Sequence, residues 1–98
     1  MATKKGDYVV VRSKDAGVFA GTFVSREDDV VVLRDARRIW YWEGAASLSQ
    51  LAMEGTSKPD ECKFPREVDE VTLLGVIEIL ATTEEARKSI AGVRVWKA

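Results

Sequence analysis

The chain has 98 residues, enough for one domain with a single core, and its 46% apolar and 32% charged content is ordinary for a globular protein. Fifteen basic and 16 acidic residues leave a net charge of −1, so a polyanion would have to be met by a local cluster and not by a global field. Histidine is absent and Cys62 is the single cysteine, which excludes an internal disulfide, Cys/His zinc sites and Ser-His or Cys-His catalysis.

The opening Met1-Ala2-Thr3-Lys4-Lys5-Gly6 has no apolar stretch behind it, and no run in the chain approaches a bilayer-spanning length. The expectation is a cytoplasmic protein with no membrane segment, in which Lys4 and Lys5 form a frayed tail. Residues 7 to 13 read as a first β-branched strand ending at the Lys14-Asp15-Ala16-Gly17 turn. Val18 to Arg26 alternates as a second strand, and Gly21 in its middle marks a bulge or sharp bend. Glu27-Asp28-Asp29 is a solvated acidic turn, Val30 to Leu33 a third strand, Asp35-Ala36 a turn, and Arg37 to Trp42 a fourth strand. Strands at this spacing form an antiparallel meander, the start of a small barrel.

The period then changes. Ser47-Leu48-Ser49-Gln50 fits a capping box, opening a short helix that buries Leu51 and Ala52 and stops at Gly55. Thr56 to Pro65 is a loop whose Thr56, Ser57 and Lys58 are placed to fold over a ligand or to lie as plain surface. Glu67 to Ala81 reads as one or two strands broken near Gly75. Thr82-Thr83-Glu84-Glu85 is a second capping box, opening a helix to about Ile90, and Val93 to Trp96 closes the chain as an edge strand. The fold class expected is α+β, mostly antiparallel β, as a small Sm- or SH3-like curved sheet or barrel with one or two short helices.

The chemistry concentrates between Ala36 and Leu51. Alternation puts Arg38, Trp40 and Trp42 on one face of a strand and Arg37, Ile39 and Tyr41 on the other, and Ile39 marks its face as the core side. Arginine holds phosphate bidentately and stacks on flat rings; tryptophan and tyrosine stack on bases. Gly44-Ala45-Ala46 would let a ligand approach the backbone, and Ser47 and Ser49 sit where a helix start leaves N–H groups free for an anion. The candidate ligand-binding residues are therefore Arg37, Arg38, Trp40, Tyr41, Trp42, Gly44, Ala45, Ser47 and Ser49. No metal site, cofactor or catalytic group is expected. The competing reading is that the tryptophans are core or subunit-interface anchors, and a site shared between subunits reconciles the two.

The blocks Ala36 to Trp42, Gly44 to Ala52 and Cys62-Lys63-Phe64-Pro65, with Val18 to Gly21 and Val95-Trp96-Lys97, together resemble a family of small bacteriophage proteins nearly from end to end. In size, and in pairing aromatics and arginines without catalytic residues, the chain is similar to viral sponge proteins. Those oligomerise and sequester the cyclic nucleotide signals of bacterial immune systems such as CBASS. That likeness implies a non-enzymatic homo-oligomer binding a cyclic di- or trinucleotide in an infected bacterium. The N-terminal half also resembles Sm-like barrels, which implies a rival function in binding RNA or single-stranded DNA. A phage structural or protein-interaction module is the third expectation.

Overall fold

The computed structural model describes residues 3–98. Five strands form one antiparallel sheet: β1 (Tyr8–Ser13), β2 (Gly17–Glu27), β3 (Val30–Arg38), β4 (Val68–Leu73) and β5 (Val76–Ala81), in the order β4-β3-β2-β1-β5. Two short helices, α1 (Leu48–Glu54) and α2 (Glu84–Ala91), complete the α+β domain. β4 and β5 are joined only by Leu74 and Gly75, yet they lie at opposite edges of the sheet. Two residues span only about 7 Å when extended, so the sheet curls until its two edges approach each other at this end. The amide of Lys14 donates to the carbonyl of Gly75 (2.8 Å), that of Val76 to Asp29 (2.9 Å), and the Ser13 hydroxyl to Leu74 (2.6 Å), which pins the curled end.

The curvature divides the core in two. Val9, Val11, Phe19, Phe23, Val31, Leu33, Ala36 and Leu73 fill the concave side. Val10, Ala20 and Ile39 face the other way and pack with Leu51, Ala52, Cys62, Phe64, Ile90 and Val93 beneath the helices. β1 is therefore buried on both faces, which explains its unbroken Val9-Val10-Val11 run. Burying Leu33, Leu51, Phe64 and Ile90 contributes about 1.5–3 kcal/mol per side chain.

The bend foreseen at Gly21 is present. Ala20 pairs with Arg37 and Thr22 with Arg34, so Asp35 and Ala36 together oppose Gly21 in a β-bulge. Asp35 takes the left-handed conformation there (φ 48°), which aspartate tolerates better than most residues. The Asp35-Ala36 turn expected between two strands is thus a bulge inside one strand, because β2 and β4 pair across it on both sides. β3 also ends at Arg38 and not at Trp42: its partner β2 begins at Gly17, so the ladder runs out after Ile39 donates to the Val18 carbonyl (2.8 Å).

Both helix starts are capped, with Ser47 accepting from the Gln50 amide and Thr83 from the Ala86 amide. The cap of α2 is Thr83; Thr82 instead donates to the Tyr8 carbonyl (2.6 Å). The closing edge strand is not formed. Val95 makes a single parallel bridge to Phe64, whose neighbour Pro65 has no N–H with which to extend a ladder. Lys4 and Lys5 lie in a turn held by the Lys4 amide on Asp7 (2.9 Å) and the Gly6 amide on Phe23 (2.9 Å), so the segment is tied to β2 and is not a frayed tail. Among the described residues no helix is long and apolar enough to cross a membrane.

A Cβ at Gly21 would lie 2.9 Å from both Cα and Cβ of Ala36. Gly21→Ala is expected to cost about 1–3 kcal/mol by forcing the bulge apart, measured as a lower urea midpoint with an unchanged m-value.

Candidate functional site

The two arginines part company at the end of β3. Arg37 is 4% exposed and points under the helices. Its Nη1 donates to the carbonyls of Ile90 (3.1 Å) and Val93 (2.7 Å), and its Nη2 to Phe64 (2.9 Å) and Pro65 (3.4 Å). The guanidinium also lies 5.4 Å from the Phe64 ring centroid. Ile90 stands in the last turn of α2, where its carbonyl also accepts from the Val93 amide (3.3 Å) and the dipole favours a cation. Burial lowers the pKa of Arg37, an effect opposed by Tyr8 and Glu67. The expected phosphate contact at Arg37 is overturned, since its N–H groups are committed to backbone carbonyls in the interior. Arg38 remains at the surface but turns toward the β1–β2 turn, where Nη1 donates to the Ala16 carbonyl (2.6 Å) and the guanidinium covers the Phe19 ring at 4.3 Å.

Beyond Arg38 the chain leaves the sheet and pairs with a segment remote in sequence. The amides of Trp40 and Tyr41 approach the Lys63 carbonyl (3.2 and 3.3 Å), and the Lys63 amide donates to Tyr41 (2.8 Å). On the far side Phe64 bridges Val95, and the Trp96 amide donates to the Phe64 carbonyl (3.0 Å). Three irregular segments, around Tyr41, Lys63 and Trp96, therefore run side by side. The Lys63 ammonium sits 5.7 Å from the Tyr41 ring and 5.6 Å from the Trp96 ring, within cation–π range of both. Trp40, Tyr41 and Trp96 are 64%, 42% and 46% exposed.

Lys63 and Trp96 were not among the expected site residues. Nothing in local spacing links them to Trp40, since only tertiary pairing brings the three segments together; the available signal was the number of tryptophans in so small a chain. The alternation that placed Tyr41 on the core side fails for the same reason. Tyr41 is exposed and Trp42 is half-buried against the core, with its indole N–H donating to the Ala45 carbonyl (3.2 Å). The Tyr41 hydroxyl donates to Glu43, a bond that raises the tyrosine pKa.

The Gly44–Ser47 turn is also differently employed. Gly44 has φ 85°, and a Cβ there would meet the Lys58 amide and the Thr56 hydroxyl at 2.5 Å each. The Thr56–Lys58 loop does fold over, but what it covers is Gly44 itself, whose carbonyl accepts from the amide and hydroxyl of Ser57 (3.2 Å each). Close backbone approach at Gly44 thus serves the protein's own loop, contrary to the expectation of a ligand there. Ala45 packs against the core beneath the helices. Ser47 caps the helix through the Gln50 amide, and Gln50 Oε1 accepts from the Ala46 amide (2.7 Å), so the Ser47 hydroxyl and the Gln50 amide are engaged within the chain. Ser49 is exposed.

A groove of about 810 Å³ lies elsewhere, between α2, the N-terminal segment and the β-bulge. Asp7, Asp35, Glu67 and Glu84 line it against the single guanidinium of Arg87, so its field repels phosphate. Among the described residues no group of three or more His, Cys, Asp or Glu side chains is arranged to hold a metal ion. Tyr8 also lines this groove, and burial raises its pKa to about 12.

Arg37→Leu is expected to leave the Val93 and Pro65 carbonyls without a donor and cost on the order of 3 kcal/mol, whereas Arg38→Ala should cost less than about 1 kcal/mol; paired urea melts compare them. For Tyr8, the native pKa of about 12 stands above the ordinary 10.0, so the native state holds the proton more tightly than the unfolded chain. Its contribution is expected in full below pH 10 and to be lost as pH rises toward 12, and chemical denaturation across that window, with Tyr8→Phe as reference, measures the loss.

No curated protein and no solved structure matches the chain. A family profile described as a domain of unknown function (DUF6948) matches residues 6–90, most of the molecule, and the protein belongs to that family.

Proposed function

We propose that the protein is a non-enzymatic nucleotide-binding protein, encoded by a phage, that sequesters cyclic di- or trinucleotide immune signals in the cytoplasm of the infected bacterium. It would act as a homo-oligomer, in which the exposed faces of neighbouring copies enclose more of the ligand than one shallow face does. The observation that carries this reading is the Lys63 ammonium between the exposed rings of Tyr41 and Trp96, with Trp40, also exposed, next to Tyr41 in the chain. Flat rings accept bases of any identity, and a lysine beside them accepts phosphate. The face is small and the net charge is −1, which suits a compact nucleotide better than a long polyanion. Sequestration requires tight binding without turnover, and the sequence offers no His-based nucleophile activation. The binding set shifts accordingly: Trp40, Tyr41, Lys63 and Trp96 form the contact face, Arg37 supports it from below, and Trp42, Gly44 and Ala45 shape the turn beside it.

An Sm-like role in binding RNA or single-stranded DNA is the second reading, favoured by the curled five-stranded sheet together with the same exposed rings. Native mass spectrometry against a panel of cyclic di- and trinucleotides and oligonucleotides separates the two. The expected result is an intact cyclic nucleotide bound to the protein, weakened roughly tenfold by Trp40→Ala or Trp96→Ala, since one base–ring stack is worth about 1–3 kcal/mol. Affinity that grows with strand length would transfer the function to nucleic acid, and absence of any bound nucleotide would overturn both.

A further inference from the structure

Most arginines of the chain are committed internally. Arg12 pairs with Glu78 and Arg87 with Glu84, Arg26 donates to the Asp28 carbonyl, and Arg37 and Arg38 hold the carbonyls described above. Arg94 differs from these. It is exposed, and among the described residues its guanidinium makes neither an ion pair nor a hydrogen bond.

Segment pairing places Arg94 beside the exposed rings. Phe64 and Val95 form a parallel bridge, so the residues one step earlier on each segment, Lys63 and Arg94, stand side by side. Neighbouring extended segments lie about 4.8 Å apart. Side chains alternate along such segments, and burial fixes the sense: Cys62, Phe64 and Val93 are buried, while Lys63 and Arg94 are exposed. Both cations therefore project outward, on the side where the Tyr41 and Trp96 rings flank the Lys63 ammonium. Like charges set opposite each other on neighbouring strands repel, and neither of these two has a carboxylate within ion-pair distance. Glu43 and Glu61 stand at the other end of the strip. The Tyr41 hydroxyl donates to Glu43, and that bond, with the charge of Glu61, raises the tyrosine pKa.

We infer that Lys63 and Arg94 form a phosphate clamp, in which a phosphodiester of the ligand sits between the two cations while a base stacks on the exposed ring of Trp96. The clamp rests on the nucleotide-binding reading above and adds to it the guanidinium that neither Arg37 nor Arg38 supplies. The planar fork of arginine holds two phosphate oxygens at once, and lysine adds a point charge from the neighbouring segment. An anion between the two cations also removes their mutual repulsion, a cost present in the free protein. The carboxylates at the Tyr41 end repel phosphate, so the ligand lies along the strip with its phosphate toward Arg94. A phosphodiester is common to cyclic nucleotides and to single strands, and the dependence of affinity on strand length tells them apart.

The test uses the full chain and two probes. Inorganic phosphate, titrated against chloride at matched ionic strength, is expected to shift the Arg94 Nε–H and Lys63 Cε–H signals in nuclear magnetic resonance spectra, with the Arg66 signal as the unmoved reference. Cyclic di-GMP or cyclic di-AMP is expected to bind Arg94→Gln about tenfold more weakly than wild type, since a charge-assisted bond is lost, while Arg94→Lys keeps part of the affinity. Arg94→Gln removes no internal hydrogen bond, so its urea midpoint is expected to be unchanged. An unmoved Arg94 signal, or Arg94→Gln binding the cyclic dinucleotide as tightly as wild type, overturns the clamp, and does so even where Trp96→Ala weakens that ligand and upholds the functional reading. A phosphate-induced shift at Arg94 without affinity for any cyclic dinucleotide retains the clamp and overturns the reading above. Affinity that rises with the length of a single-stranded oligonucleotide retains the clamp and assigns it to nucleic acid.

Discussion

The buried guanidinium of Arg37 is the constraint on which the rest of the molecule is arranged. A cation in an apolar interior is costly unless its hydrogen bonds are met, and here four carbonyls from the Phe64–Pro65 segment and the end of α2 meet them. The bond network joins β3, the long connection after it and the C-terminal segment, and adds to the backbone bonds that Lys63 makes with Tyr41 and Phe64 with Trp96. Its Nε is the one buried side-chain nitrogen or oxygen without a partner among the described residues, so the arrangement is tight and slightly imperfect.

That network also builds the exposed aromatic face. Phe64 accepts from Arg37 and from the Trp96 amide through the same carbonyl, and the adjoining Lys63 pairs with Tyr41. The inner arginine thereby aligns the segments whose outer side chains form the ring-and-lysine surface. Arg37 contributes to the candidate site as a positioning residue, through backbone geometry and not through contact with a ligand.

Charge is sorted on the surface in a way the net value of −1 conceals. The acidic groove beside α2 and the row of carboxylates on β4 occupy one part of the molecule, while Lys63 stands between two rings on another. The acidic groove repels anions, and the cation beside exposed rings lies away from it.

Much of the fold was legible locally. The alternation of β2, the unbroken valines of β1, the bulge at Gly21, the serine cap at Ser47 and the stop at Gly55 are short-range features, and each is determined by steric or hydrogen-bonding preferences within a few residues. Local preferences do not carry what depends on partners: Asp35 sits in a bulge and not a turn, Tyr41 is exposed and not on the core side, and Arg37 binds carbonyls in the interior. Two adjacent arginines are chemically identical in sequence, and only the curl of the sheet and the docking of α2 decide that one is sealed among carbonyls and the other left at the surface. Local preferences along the chain set the first three strands, both helices, the α+β class and the richness of the Arg37–Trp42 stretch in arginine and aromatic side chains, but not the strands expected at Arg37–Trp42 and Val93–Trp96. Tertiary structure alone decided which of those side chains reach the solvent and that Lys63 and Trp96 join them, because pairing between residues dozens of positions apart leaves no periodic trace in the chain.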